Sequence, residues 1–176
     1  MARGSKEKQN KVFGGCNMIF FTVGTQLPFD RLTMLVDEFC RIYPDETVFG
    51  QIGDGDYQPK HFDFINHISI SEFDKKFSDA EAIISHAGMG TIITSLVEGK
   101  PIIVSPRVAA LGEHRNEHQL STVNRFQSKE NFYVIEAPSD LIPILANVRT
   151  KKHTPSLSQY APTATLVKLK KIIAQI

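Results

Sequence analysis

The sequence predicts an α/β fold, a doubly wound and mostly parallel sheet with helices on both faces. Three observations carry that expectation. Short apolar runs of β type alternate with longer stretches whose apolar residues recur at helical spacing. The stretch from Ile83 to Pro106 reads as a strand, a glycine turn, a helix and a second strand, and parallel strands need such a crossover. The segments Gly24-Thr25, Ser71, Gly88 to Thr91 and Pro106 onward all fall beyond strand carboxyl ends, where sheets of this kind bind ligands.

Each element follows from local pattern. Ile19 to Val23 reads as a buried strand, with Gly24-Thr25-Gln26 as its turn. Pro28 to Tyr43 carries Leu32, Leu35, Val36 and Phe39 at helical spacing and ends at Pro44-Asp45. Thr47 to Ile52 is the second strand and Gly53-Asp54-Gly55-Asp56 a turn. Those carboxylates do not make an EF-hand loop, because the twelfth position counted from Asp54 is Ile65 and not a glutamate. A short strand is expected around Ile65 to Ile70, then a brief helix over Ser71 to Phe77. Ala82 to Ser85 is the strand before the glycine turn. The next helix shows Ile93, Leu96 and Val97 at spacings i, i+3 and i+4, with Thr91 expected as its N-cap or as a hydroxyl donor and Gly99 as its stop. Ile102 to Val104 follows as a strand. A loop after Pro106 leads to a helix over about Asn116 to Phe126, a strand over Phe132 to Glu136 and a helix over Ser139 to Asn147. Lys151 to Pro162 is polar and loop-like. Thr163 to Ile176 is expected as an amphipathic helix that docks on its own domain or on a partner, in preference to a membrane surface.

With 176 residues, 41% of them hydrophobic, the chain suits one domain burying roughly 70% of its unfolded surface. Residues 1–17 are polar and basic and read as a disordered leader or tag, 18–150 as the folded domain, and 151–176 as a loop and helix. Twenty basic and nineteen acidic residues give a net charge of +1, so no global field favours nucleic acid. Cys16 and Cys40 fit a reducing compartment, with Cys40 on the apolar face of a helix. No run approaches the roughly 18 apolar residues of a membrane span, so membrane contact is expected through a partner.

The glycine turn is the chemical centre. A helix N-terminus offers unpaired N–H groups and a positive dipole end, and glycines let a bulky anion approach the backbone. Gly88, Met89, Gly90 and Thr91 are placed for this, without the third glycine of a dinucleotide fingerprint or the Gly-Lys-Ser/Thr of a P-loop. His86, just before the turn, either bonds the turn backbone or meets the ligand itself. Gly88→Val is expected to abolish anion binding and leave the fold intact.

Three longer strings extend the pattern. His86-Ala87-Gly88-Met89-Gly90-Thr91 with Gly99-Lys100-Pro101-Ile102-Ile103-Val104-Ser105-Pro106 resembles the donor-binding segment of family 28 glycosyltransferases. Phe20-Phe21-Thr22-Val23-Gly24-Thr25-Gln26 with Pro28-Phe29-Asp30-Arg31-Leu32 is similar to the opening strand and loop of one branch. Gly112-Glu113-His114-Arg115-Asn116-Glu117-His118-Gln119 is similar to that branch's sugar-binding loop. The branch comprises small catalytic subunits of two-part glycosyltransferases, among them the subunit adding the second N-acetylglucosamine to a dolichol-linked carrier and bacterial exopolysaccharide and capsule enzymes. The resemblance runs from about Met18 to about Pro143.

The resemblance implies one Rossmann-like half of a GT-B glycosyltransferase, inverting and without a cofactor or metal. It places a UDP-sugar diphosphate on Gly88 to Thr91, assisted by Gly24, Thr25 and Gln26, with the uracil near Ile70-Ser71. Sugar hydroxyls fall to Glu113, Glu117, His118 and Gln119, and catalysis to His86 and Glu117. Many relatives hold the ribose with an acidic residue five places before the helix-ending glycine; that position here is Thr94, and a hydroxyl cannot match a bidentate carboxylate. The implied partner is a membrane-anchored, acceptor-binding subunit that recruits a cytoplasmic chain to a lipid-linked acceptor, so the isolated chain is expected to be inactive or weakly active. Two alternatives stand beside this. One is a nucleotide-sugar-binding subunit without turnover. The other is a zinc hydrolase using His114, Glu117 and His118, since His-x-x-Glu-His matches one zinc-peptidase pattern, although the motif begins inside a loop.

Overall fold

The computed structural model describes residues 18–158 and residue 160. The leader over 1–17 with Cys16, and the expected helix over Thr163–Ile176, lie outside the described residues. Six strands and five α-helices alternate: β1 Met18–Thr22, α1 Asp30–Ile42, β2 Thr47–Gln51, β3 Asp63–Ile65, α2 Ile70–Asp79, β4 Ala82–His86, α3 Met89–Glu98, β5 Ile102–Ser105, α4 His118–Phe126, β6 Phe132–Val134 and α5 Leu141–Thr150. Single 3-10 turns at Ala109–Leu111 and Pro138–Asp140 precede α4 and α5.

Every strand pair is parallel, in the order β3-β2-β1-β4-β5-β6. This is the doubly wound, Rossmann-like order, whose direction of winding reverses between β1 and β4. Strand alternation divides the core between the two faces. Ile19, Phe21, Ile84 and Ile103 pack against Leu32, Val36 and Phe39 of α1 and Leu141 and Leu145 of α5. Phe20, Ile83, Ile102 and Val104 pack against Phe77 of α2, Ile92 and Leu96 of α3 and Val123 and Phe126 of α4. Each fully buried Phe or Ile contributes about 1.5–3 kcal/mol relative to exposure. Cys40 belongs to the first cluster, and burial pushes its thiol up to about 12, so it serves as a small apolar group.

Three local expectations are corrected. β3 ends at Ile65, after pairing with Phe49 to Gln51 of β2, and Ile70 opens a helix instead. The cause is a capping box: the Ser69 hydroxyl accepts from the Glu72 N–H at 3.3 Å, and the Glu72 carboxylate accepts from the Ser69 N–H at 3.3 Å. The N-cap of α3 is Gly88, not Thr91, which lies within the helix. Starting the helix there turns its buried stripe onto Ile92, Ser95 and Leu96 and leaves Ile93 exposed. Gly99 ends α3 in the left-handed region at φ 70°, with the Lys100 N–H donating to the Ser95 carbonyl at 2.8 Å.

Candidate functional site

A cleft of about 1000 Å³ opens beyond the carboxyl ends of β1 and β4, at the reversal of winding. Its walls are the loop after β1, the glycine turn that starts α3, Arg107 after β5 and one face of α4. A rim from His67 to Phe73 closes its β3 side.

The glycine turn presents a bare helix end. No side chain caps α3, so the first-turn N–H groups and the positive end of the dipole are left for a ligand. A Cβ built on Gly90 would meet nothing within 4 Å, in open space at this helix end. Gly88 has a different duty, because a Cβ there would sit 2.3 Å from His86 Nε2. Gly24, at φ +82° after β1, has the same neighbour, with its Cβ position 2.6 Å from His86 Cε1. The two glycines therefore clasp the imidazole between the β1 and β4 loops. Burial, and then the charges of Arg107 and His114, lower the His86 pKa to about 4. The ring is neutral near pH 7 and acts there through hydrogen bonding, not through charge.

That shift sets a pH dependence. Because the folded value lies below the ordinary 6.5, protonation favours the unfolded chain. Stability present above pH 6.5 is lost as pH falls toward 4, with a slope from this group of at most about 1.4 kcal/mol per pH unit. His86→Asn is expected to flatten the decline over that window in urea unfolding series. An unchanged slope would count against the buried neutral ring.

Three polar side chains tie the cleft loops together. Gln51 accepts from the Thr22 hydroxyl at 2.6 Å and donates to the carbonyls of Gly24 and Asn66 at 3.1 and 3.0 Å. Gln119 Oε1 accepts from the N–H groups of Ala87 and Arg107 at 3.1 and 3.0 Å. This fixes the amide orientation, so the Gln119 NH₂ is the end left for the cleft. Arg107, buried over the Phe29 ring, donates to the carbonyls of Val23, Leu27, Pro28 and Glu113.

The expected site residues divide. Gly24, Thr25, Gln26, His86, Gly88, Met89, Gly90, Thr91, His118 and Gln119 all line the cleft. Ser71, Thr94, Glu113 and Glu117 are not among its lining residues. Ser71 is exposed within α2, and its neighbour Ile70 reaches the rim instead. Thr94 lies on the exposed side of α3. Glu113 takes a bidentate pair from Arg31 at 2.7 and 2.9 Å and the Val108 N–H at 2.8 Å. Burial raises its pKa, but those bonds and the Arg107 charge outweigh it and hold the carboxyl below the usual range. Glu117 accepts from the Ala109 N–H at 3.1 Å, so its carboxylate serves the loop.

The zinc alternative meets a geometric obstacle. His118 opens α4 while His114 precedes it in the loop, where its ring bonds the Asn116 carbonyl. The two histidines are therefore not on successive turns of one helix. Among the described residues no three metal-ligating side chains converge. Gln51, Arg107 and Arg125 line the cleft without having been expected there, and His114, singled out only as a zinc ligand, lines it too. For Arg107 a signal existed in its position directly after the β5 run.

Fold and site together define a doubly wound domain with an anion-ready cleft at its switch point. Residues 18–176 match the glycosyltransferase family 28 C-terminal domain, and the chain belongs to that family, as a glycosyltransferase donor-binding domain. No curated protein matches it by sequence. The glycotransferase of kitacinnamycin shares its fold at a TM-score of 0.56 and 18% identity, over 86% of this chain and 39% of that one. MurG of Acinetobacter baumannii shares it at 0.50 and 18% identity, over 81% of this chain and 42% of the other. The chain thus covers less than half the length of either structure. Among the described residues no helix is long and apolar enough to cross a membrane.

Proposed function

We propose that the chain is the catalytic, donor-binding subunit of a two-part inverting glycosyltransferase. It moves a hexose or N-acetylhexosamine from a UDP-sugar to a lipid-linked acceptor in surface-polysaccharide assembly. The observation that carries this reading is the uncapped N-terminus of α3, open over Gly90 into the cleft. An acceptor hydroxyl attacks the anomeric carbon, the bond to the diphosphate breaks, and UDP leaves as its terminal phosphate gains charge. The N–H groups of the first turn of α3 are suited to stabilise that charge, strongly in a partly desolvated cleft. His86, neutral and held by Gly24 and Gly88, contributes a hydrogen bond to the same group.

The acceptor hydroxyl must also lose its proton. Among the described residues His67, His86, His114 and His118 line the cleft and no aspartate or glutamate does; in this proposal the base is supplied by a second, membrane-anchored polypeptide that also holds the acceptor. Recruitment of a cytoplasmic chain to the membrane through that partner belongs to the same proposal.

Calorimetric titration with UDP and UDP-sugars, with and without EDTA, tests the reading. UDP is expected to bind in the micromolar range, about −8 kcal/mol, and unchanged by EDTA. Absence of UDP binding would sink the donor-site assignment for the isolated chain. Binding that required a divalent ion would remove the helix-end account of charge stabilisation.

A further inference from the structure

The cleft contains a second cationic feature apart from the glycine turn. In α4 the residues Gln119, Val123 and Phe126 are buried against the domain. His118, Ser121, Thr122 and Arg125, at spacings i, i+3, i+4 and i+7, form the complementary stripe and line the cleft. The two arginines of the cleft differ in what they can still do. Arg107 has its guanidinium donors committed to four carbonyls. Arg125 makes no hydrogen bond or ion pair among the described residues, so its fork of donors is open to a ligand. With no acidic residue lining the cleft among the described residues, nothing beside Arg125 there opposes an anion.

A guanidinium fork fits a planar carboxylate or a phosphate bidentately, whereas neutral sugar hydroxyls need no fixed charge. We propose that this face of α4, centred on Arg125 with His118 and Ser121 beside it, is a second oxyanion subsite of the cleft. It takes an anionic group additional to the diphosphate on the glycine turn. That group is either the carboxylate of a uronic-acid donor or the phosphate of the lipid-linked acceptor. The subsite rests on the donor-cleft reading given above.

Calorimetry on the full chain, wild type and Arg125→Gln, with UDP, UDP-glucose, UDP-glucuronate and geranyl diphosphate tests it. Arg125→Gln is expected to weaken either UDP-glucuronate or geranyl diphosphate about tenfold more than it weakens UDP. The ligand so affected names the source of the anion. Arg125→Lys, which keeps the charge without the fork, is expected to recover part of the loss. Equal effects on all four ligands, or no effect on either anionic probe, would overturn the subsite while leaving the donor cleft standing. Failure of the wild type to bind UDP would overturn the donor cleft and the subsite with it.

Discussion

Arg107→Leu is expected to lower the free energy of unfolding by about 3–5 kcal/mol, because it leaves several buried carbonyls without a donor. The side chain is 2% exposed and donates to carbonyls at four positions, three of them in or beside the loop after β1. Leucine restores apolar volume over the Phe29 ring but none of the donors. Lysine restores a charge but cannot reach the same carbonyls with a rigid fork, so Arg107→Lys should recover less than half of the loss. Urea unfolding followed by circular dichroism reads the result directly. A loss below about 1 kcal/mol would mean that water replaces the guanidinium at little cost. Because the loop that Arg107 holds also lines the cleft, the leucine variant should lose UDP affinity even where it remains folded.

The second large effect separates two glycines of one turn. Gly88→Val is expected to abolish UDP binding and also to destabilise the fold by about 1–3 kcal/mol, as overpacked side chains do. Its Cβ would lie 2.3 Å from the His86 ring, which is itself confined by Gly24. The expectation of an intact fold at this position is therefore replaced. Gly90→Ala is the cleaner probe. Its added methyl meets nothing within 4 Å, and alanine is the better helix former by up to about 1 kcal/mol. The alanine variant should match or exceed wild-type stability while binding UDP about a hundredfold more weakly, since the methyl would occupy the anion's approach to the helix end. Undiminished UDP affinity in Gly90→Ala would remove the phosphate from this turn.

Much of this was legible in the sequence because local signals agreed with the tertiary outcome. Buried strands in a parallel sheet read as apolar runs, and Gly99 after α3 read as a stop that the left-handed backbone confirms. The Ser69-Ile70-Ser71-Glu72 capping box was equally visible, but the apolar residues Ile65, Ile68 and Ile70 suggested a longer strand. A strand at the sheet edge with a single partner cannot prevail over a satisfied helix start. Of the site, the backbone-built part was legible, because glycines after strands have few other uses. Side-chain direction was not. Residues 113 to 119 run from a loop into the expected helix, and their pattern does not tell that Gln119 turns inward on α4 while Glu113 and Glu117 bond neighbouring backbone. The place of Arg107 beyond β5 is a local signal, but its role is not, because its partners lie about 80 residues earlier in the chain, a relation that no local pattern encodes.

Gln51, Arg107 and Gln119 join the loops after β1, β3, β4 and β5 by side-chain bonds to backbone. Opening any one of these loops breaks bonds that also hold its neighbours, so the ties couple the loops around the rim of the cleft. Much of the entropy of ordering these loops is therefore lost when the chain folds and not when a ligand arrives. Affinity and structural integrity are coupled here: loosening any one of the three ties slackens the whole mouth of the cleft.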